Sequence, residues 1–233
     1  MEIHPSNIIE RNELHNRTRV FRDRQQAGLA LAQMMERFKE TTAIVLAIPA
    51  GGVPVGAEIA GQLGLPLDVA VVSKITLPWN TEAGYGALAF DGTLKLNDHL
   101  VARLGLRKEE IEKGIAQTHT KVQRRVTLFR GDHPLPPLSD RTVILVDDGL
   151  ASGFTMLVAV EALYKASPSQ VVVAVPTGHG RSVERVAAKV DRMYCANIRT
   201  GFSFAVAEAY EHWYDVTEEE VLEGLAQFQR TTS

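Results

Sequence analysis

Between Val143 and Thr155 the chain reads VILVDDGLASGFT. Four apolar residues run into two adjacent acids, Asp147 and Asp148, and a stretch of mostly small residues follows before Thr155. Ionised carboxylates only accept hydrogen bonds, so two side by side suit a ligand with vicinal hydroxyls or a divalent cation. The segment GLASGFT opens a helix. Its backbone amides, the helix dipole and the hydroxyls of Ser152 and Thr155 together form a cradle for a phosphate monoester. Acids for hydroxyls beside a cradle for phosphate describe a site for a ribose 5-phosphate. Taken alone, Asp-Asp-Gly after a strand is most often a turn with a helix cap. The preceding strand, the terminal threonine and the chain's other loops favour the binding reading.

Two further stretches could face the same ligand. PAGG (49–52) follows another buried apolar run, and its two glycines allow backbone amides to approach a ligand closely. Lys74 ends the apolar run PLDVAVVSK, and its point charge suits a diphosphate. After it comes TLPWNTEAGYG, where Glu82 is the one carboxylate and Trp79 and Tyr85 either stack on a base or pack. No P-loop or dinucleotide-binding glycine fingerprint is present.

The elements that would position these residues repeat as strand, loop, helix. AIVLAIP (43–49) precedes a helix ending at Gly64, and 66–74 forms a second strand. TVILVDD (142–148) precedes a helix from Thr155 to about Lys165, and QVVVAVP (170–176) precedes the helix RSVERVAAKV. Strands with continuous rather than alternating apolar residues are buried on both faces, so the fold class is α/β. The expected sheet is mostly parallel and twisted, with helices on both faces. Upstream, Ala27, Leu31, Met34, Met35 and Phe38 fall at helical spacing after a capping Asp23. Residues 1–20 read as an N-terminal arm and 21–233 as a single domain. Within it, 75–140 is an insertion: a flexible loop, a hairpin at Asp91-Gly92, a short helix and a long charged covering helix. The C-terminal part is rich in aromatics (Phe202, Phe204, Tyr210, Trp213, Tyr214), which roof a base or fill a core or a dimer interface. A last helix starts near Thr217.

Composition narrows the function classes. The 233 residues carry 25 basic and 28 acidic side chains, a formal charge of -3, with no basic cluster. A nucleic-acid partner is therefore not expected. The single cysteine, Cys195, excludes an intramolecular disulfide and a cysteine-rich metal site, and fits a buried thiol in a reducing cytoplasm. The N-terminus lacks the apolar core of a signal peptide, and no run approaches the roughly 18 apolar residues of a membrane span. A cytoplasmic protein without a membrane partner is the expectation.

VILVDDGLASGFT resembles the phosphoribosyl-pyrophosphate (PRPP) signature of the type I phosphoribosyltransferases: an apolar strand, two acids and a small-residue loop ending in threonine. FRDR with a downstream AG, IPAGGVPVG, SK before a long loop and WYDVTEEEV are similar to a bacterial group of stand-alone members. The likeness thus spans about Phe21 to Leu222. It implies PRPP bound with Mg2+ and transfer of the 5-phosphoribosyl group to a small nitrogen acceptor with release of pyrophosphate. By the same likeness, 76–86 is a mobile lid, the C-terminus a hood, and the protein a homodimer. Substrate-binding residues would be Ala50, Gly51, Gly52, Asp147, Asp148, Gly149, Leu150, Ala151, Ser152, Gly153, Phe154 and Thr155, with Lys74, Asp147 and Asp148 catalytic. Mg2+ would rest on Asp147 and Asp148, or on PRPP oxygens and water. A cis peptide often occurs at the PAGG position in the family. Three residues depart from the pattern: Ala50 where many relatives carry arginine, Ala151 where one purine-salvage branch carries an acid–base aspartate, and Phe154 where a smaller residue is common. The ring of Phe154 must turn away from the phosphate. The departures also admit a PRPP-sensing or regulatory protein without transferase activity.

Overall fold

The computed structural model describes residues 7–232, without the side chains of residues 81, 82 and 232. The first six residues of the expected arm and the Glu82 carboxylate lie outside the described residues.

Six parallel strands form the main sheet: β1 (Ile8–Ile9), β2 (Ile44–Ala47), β3 (Leu67–Val69), β7 (Thr142–Val146), β8 (Gln170–His179) and β9 (Arg192–Arg199), in the order β1-β9-β8-β7-β2-β3. Their apolar runs are continuous because both faces are covered. On one face lie α1 (Arg24–Met34) and α2 (Gly52–Leu63), whose Leu31, Val55 and Ile59 pack on Ile144, Val146 and Val172. On the other lie α5 (Phe154–Tyr164) and α6 (Gly180–Ala187), whose Met156, Ala159, Val183 and Val186 pack on Val143, Leu145, Val173 and Val175. The expected mostly parallel α/β sheet, covered on both faces, is the observed one.

Helix ends follow local chemistry. Asp23 accepts the Gln26 amide at 2.8 Å and starts α1. Gly64, at φ 64°, closes α2, and Thr217 and Glu220 cap each other's backbone at the start of α7 (Glu218–Thr232).

Two strands were not anticipated, β1 and β9, and both lie at one edge. The run RMYCANIR hides a strand because Asn197 interrupts its apolar pattern. Tertiary partners satisfy that asparagine: its side chain accepts from Thr177 Oγ1 at 2.7 Å and donates to the carbonyls of Leu14 and Arg17. The arm is thereby part of the sheet, and Ile8 and Ile9 pair with Met193 and Tyr194.

The run 66–74 is not one strand. It leaves the parallel sheet after Val69 and enters a separate antiparallel sheet of β4 (Val72–Leu77), β5 (Asn80–Ala89) and β6 (Leu94–Leu96). The expected irregular loop at 76–86 is thus mostly a β-hairpin around Pro78-Trp79, and the Asp91-Gly92 turn joins β5 to β6 as expected. Helices α3 (Asp98–Leu104) and α4 (Lys108–Arg130) follow, and α4 covers this sheet and the β3 edge.

Candidate active site

Strands β2 and β7 are neighbours, yet their helices leave to opposite faces: α2 packs on the α1 side and α5 on the α6 side. A crevice opens at such a switch point beyond the carboxyl ends of the strands, and this is where α/β sheets bind ligands. Asp147 and Asp148 lie there, one step past Val146.

Each acid is partly held by the chain itself. Asp147 Oδ1 accepts the Asp148 amide at 2.9 Å. Asp148 Oδ2 accepts from Nε of Arg24 at 2.9 Å, and Nη2 of the same guanidinium forms an ion pair with that oxygen at 2.9 Å. One oxygen of each carboxylate is left for a ligand. Burial first, and the neighbouring Asp148 charge second, push the Asp147 carboxyl well above the usual carboxylate range. Burial also raises Asp148, against the pull of Arg24.

The PAGG turn packs directly against this pair. The Pro49–Ala50 peptide is cis, as the resemblance implied. A side chain on Gly51 would collide with the Asp148 carboxylate, and one on Gly52 would come within 2.7 Å of the Val146 carbonyl oxygen. Only glycines admit this approach, so Gly51 and Gly52 present backbone beside the acids, while Ala50 packs on the cluster of Ala47, Val53 and Val69.

The loop after Asp148 is tethered at Leu150, whose amide donates to Thr177 O at 2.9 Å and whose carbonyl accepts from His179 N at 3.0 Å. Leu150, which the resemblance includes among the substrate-binding residues, has a buried side chain and a backbone paired to β8. The Phe154 amide is likewise taken, by Ser152 Oγ at 3.3 Å. Among the described residues, the amides of Ala151, Ser152 and Gly153 and the hydroxyl of Thr155 bond to no protein acceptor or donor. Gly153, at φ 73°, turns the chain into α5. These groups are the donors that a phosphate could use. The Phe154 side chain packs on the α5 core and lines a groove of about 720 Å³ with Leu157, Val160 and Tyr164.

Lys74 belongs to β4, opposite Ala87, and not to the parallel sheet as its position in the run suggested. Its charge is close enough to oppose, weakly, the rise of the Asp147 carboxyl. Tyr85 does not face a base. Its ring is fully buried among Ile75, Leu77 and the α4 residues around Gly114, and its hydroxyl has no partner among the described residues. Trp79 is exposed at the hairpin turn.

The aromatic C-terminal segment divides. Tyr210 is buried and its hydroxyl donates to the Asp148 carbonyl at 2.6 Å. Trp213 and Tyr214 lie around Arg24, whose guanidinium is 4.1 Å from the Trp213 ring centroid. Val206 presses on Gly149, Phe204 packs on His179, and Phe202 is fully exposed. Arg24 drew no role from the sequence, and Tyr210 was read only as one of the aromatics that roof a base or fill a core or a dimer interface, not as a partner of Asp148. Arg24 lay inside the quoted FRDR, but its contact with Asp148 spans 124 positions and leaves no local signal.

The residues offered to a metal are few. Among the described residues no three or more His, Cys, Asp or Glu side chains converge. One oxygen from each of two acids suits a Mg2+ ion that arrives on phosphate oxygens, a common arrangement for this ion, better than a resident cation. No helix among the described residues is long and apolar enough to cross a membrane.

Comparison with known proteins agrees with this geometry. Proteins from two strains of Mycobacterium tuberculosis, both provisionally named phosphoribosyl transferases, are 34% identical over 212 residues, 91% of this chain and 48% of theirs. The chain therefore spans about half the length of these curated relatives. The crystal structure of TT1426 from Thermus thermophilus is 33% identical with a TM-score of 0.72, over 89% of this chain and 98% of that one. A phosphoribosyl transferase domain matches residues 91–214, which hold the acid pair, the cradle and the aromatic segment, and the chain belongs to that family.

Proposed function

We propose that the protein is a phosphoribosyltransferase that binds PRPP and transfers its 5-phosphoribosyl group to a small nitrogen acceptor, releasing pyrophosphate. One observation carries the reading: two carboxylates, each with one oxygen left over, lie at a switch point beside a helix-opening loop with unused amides. The two oxygens suit the two ribose hydroxyls. The amides of Ala151 to Gly153 and the hydroxyls of Ser152 and Thr155 suit the 5-phosphate. Pyrophosphate would lie along the backbone of Ala50, Gly51 and Gly52, with Lys74 supplying charge from the hairpin sheet. A Mg2+ ion arriving with the substrate would neutralise the departing pyrophosphate.

In the transfer, the bond from C1 of the ribose to the pyrophosphate oxygen breaks and a bond from C1 to the acceptor nitrogen forms. The nitrogen's proton leaves to pyrophosphate or water, since Ala151 offers no base. Positioning and charge stabilisation then carry the catalysis, and closure of the β4–β5 hairpin would exclude water. A homodimer in the cytoplasm accompanies this reading on the strength of the family resemblance alone.

Calorimetric titration with ribose 5-phosphate, and with PRPP in the presence of Mg2+, tests the site. Binding that disappears in the Asp147→Asn, Asp148→Asn double variant supports it; no binding by the wild type refutes it. Ala151 and Phe154 also favour a second reading, a PRPP-sensing protein without transfer chemistry. Incubation with PRPP and a panel of purines, pyrimidines and small amines separates the two. Pyrophosphate release marks the transferase; tight binding without release favours the sensor.

A further inference from the structure

Arg24 is 5% exposed, too buried to touch a ligand in the crevice, yet two of its nitrogens hold Asp148 Oδ2. Its third, Nη1, donates to the Tyr214 carbonyl at 2.9 Å, and its Cζ lies over the Trp213 ring, 4.1 Å from the centroid. The guanidinium is therefore fixed on three sides: by its own helix, by the acid pair and by the C-terminal aromatic segment. A fork of donors with no rotational freedom sets the orientation of the carboxylate it binds. Tyr210 completes the frame by donating to the Asp148 carbonyl, so the side chain and the backbone of Asp148 are both fixed from outside its own loop.

Resting on the reading of the acid pair as a ribose-hydroxyl clamp, we propose that Arg24 is the positioning residue of that clamp. It holds Asp148 Oδ2, so that Oδ1 is the oxygen presented to the sugar. It also ties the clamp to the segment 210–214, so the ribose side of the site and its aromatic wall move as one piece. Among the described residues no such cation is bonded to Asp147, and its orientation depends on the Asp148 amide, which Arg24 stabilises indirectly.

The test is a double-mutant cycle read by calorimetry, with ribose 5-phosphate and inorganic phosphate as separate probes. Arg24→Gln is expected to weaken ribose 5-phosphate at least about tenfold, within the coupling range of residues in direct contact. It should leave inorganic phosphate, held by the 151–155 cradle, within about twofold. Arg24→Lys, which keeps the charge but loses the fork, recovers part of the loss. In an Asp148→Asn background, Arg24→Gln adds less than about twofold, because Arg24 acts through Asp148. Two results overturn the proposal: an unchanged ribose 5-phosphate affinity in Arg24→Gln, or an equal loss for both probes, which marks a purely structural role. Wild-type protein that fails to bind ribose 5-phosphate overturns the clamp reading itself, a failure distinct from loss-free Arg24 variants of a binding wild type.

Discussion

At the carboxyl edge of the parallel sheet, each loop of the candidate site is held by contacts from elsewhere in the chain. Leu150 is bonded to β8, Asp148 to Arg24 and Tyr210, and the PAGG turn leaves no room for a side chain against the acids. The antiparallel sheet is built differently. Its inner end shares the main core, where Val72, Ala87 and Ala89 pack with α5, but its outer part rests on a separate apolar cluster under α3 and α4, with a Tyr85 hydroxyl unpartnered among the described residues and a turn where Trp79 is exposed. The first region has the rigidity that positioning a sugar phosphate requires. The second carries Lys74, to which the proposed function gives a charge role, and the outer part of its sheet packs on α3 and α4. Binding should therefore be sensitive to changes at the rim and indifferent to changes in the hairpin sheet's interior.

The largest effect is expected at Gly51. Gly51→Ala forces the PAGG turn and the Asp148 carboxylate apart, and a displacement of this kind should lower ribose 5-phosphate affinity at least about 100-fold. Overpacking should also lower stability by about 2 kcal/mol in urea unfolding. A variant that binds normally would show that the rim is not rigid.

The two acids should respond to neutralisation with opposite signs. Asp148→Asn weakens the partner of a buried guanidinium and should destabilise the ligand-free protein by about 2 kcal/mol. Asp147→Asn removes a buried charge bonded to no cation and should stabilise it by about 1 kcal/mol at neutral pH. Folding raises both carboxyls, and the signs differ because Asp148→Asn also removes the anion paired with Arg24, whereas no cation is bonded among the described residues to Asp147. The protonated form of Asp147 is favoured by folding, so its contribution is fully present below the ordinary carboxylate range and lost as pH rises through the raised value. The stability gained by Asp147→Asn should therefore grow with pH across that window, as measured by unfolding at successive pH values. Equal effects of the two substitutions would contradict the arrangement around Arg24.

In the hairpin sheet, Gly114→Ala improves helix propensity but drives a methyl into the Tyr85 hydroxyl. The net result should be a loss of about 1 to 2 kcal/mol with ribose 5-phosphate affinity unchanged. The smallest effect belongs to Tyr85→Phe. Deleting a buried, unpartnered hydroxyl should leave stability unchanged or raise it by up to about 1 kcal/mol. Combined with it, Gly114→Ala should no longer destabilise. A change in ribose 5-phosphate affinity in either variant would mean that the two sheets are coupled more tightly than their contacts suggest.

Much of this molecule was legible in its sequence wherever the signal was local. The buried runs at 43–49, 142–148 and 170–176, the Asp23 cap and the helix end at Gly64 each follow from residues close together in the chain. So does the acid pair followed by a helix-opening loop, because a strand end and a helix start are decided within a dozen residues. Other features had no local form. The apolar run 66–74 gives no sign that it changes sheets at Ala70, since burial in either sheet demands the same residue types. RMYCANIR became a strand because the arm and Thr177 satisfy Asn197 from far away. Tyr85 was drawn inside by α4, and Leu150 was bound to β8. Arg24 met Asp148 only when the chain closed over 124 positions. By itself, the sequence determined which groups could hold a ribose 5-phosphate, because residue type and short spacing carry that chemistry. The tertiary structure decided how those groups are oriented and which of their atoms remain free, because orientation depends on contacts that no short stretch of chain contains.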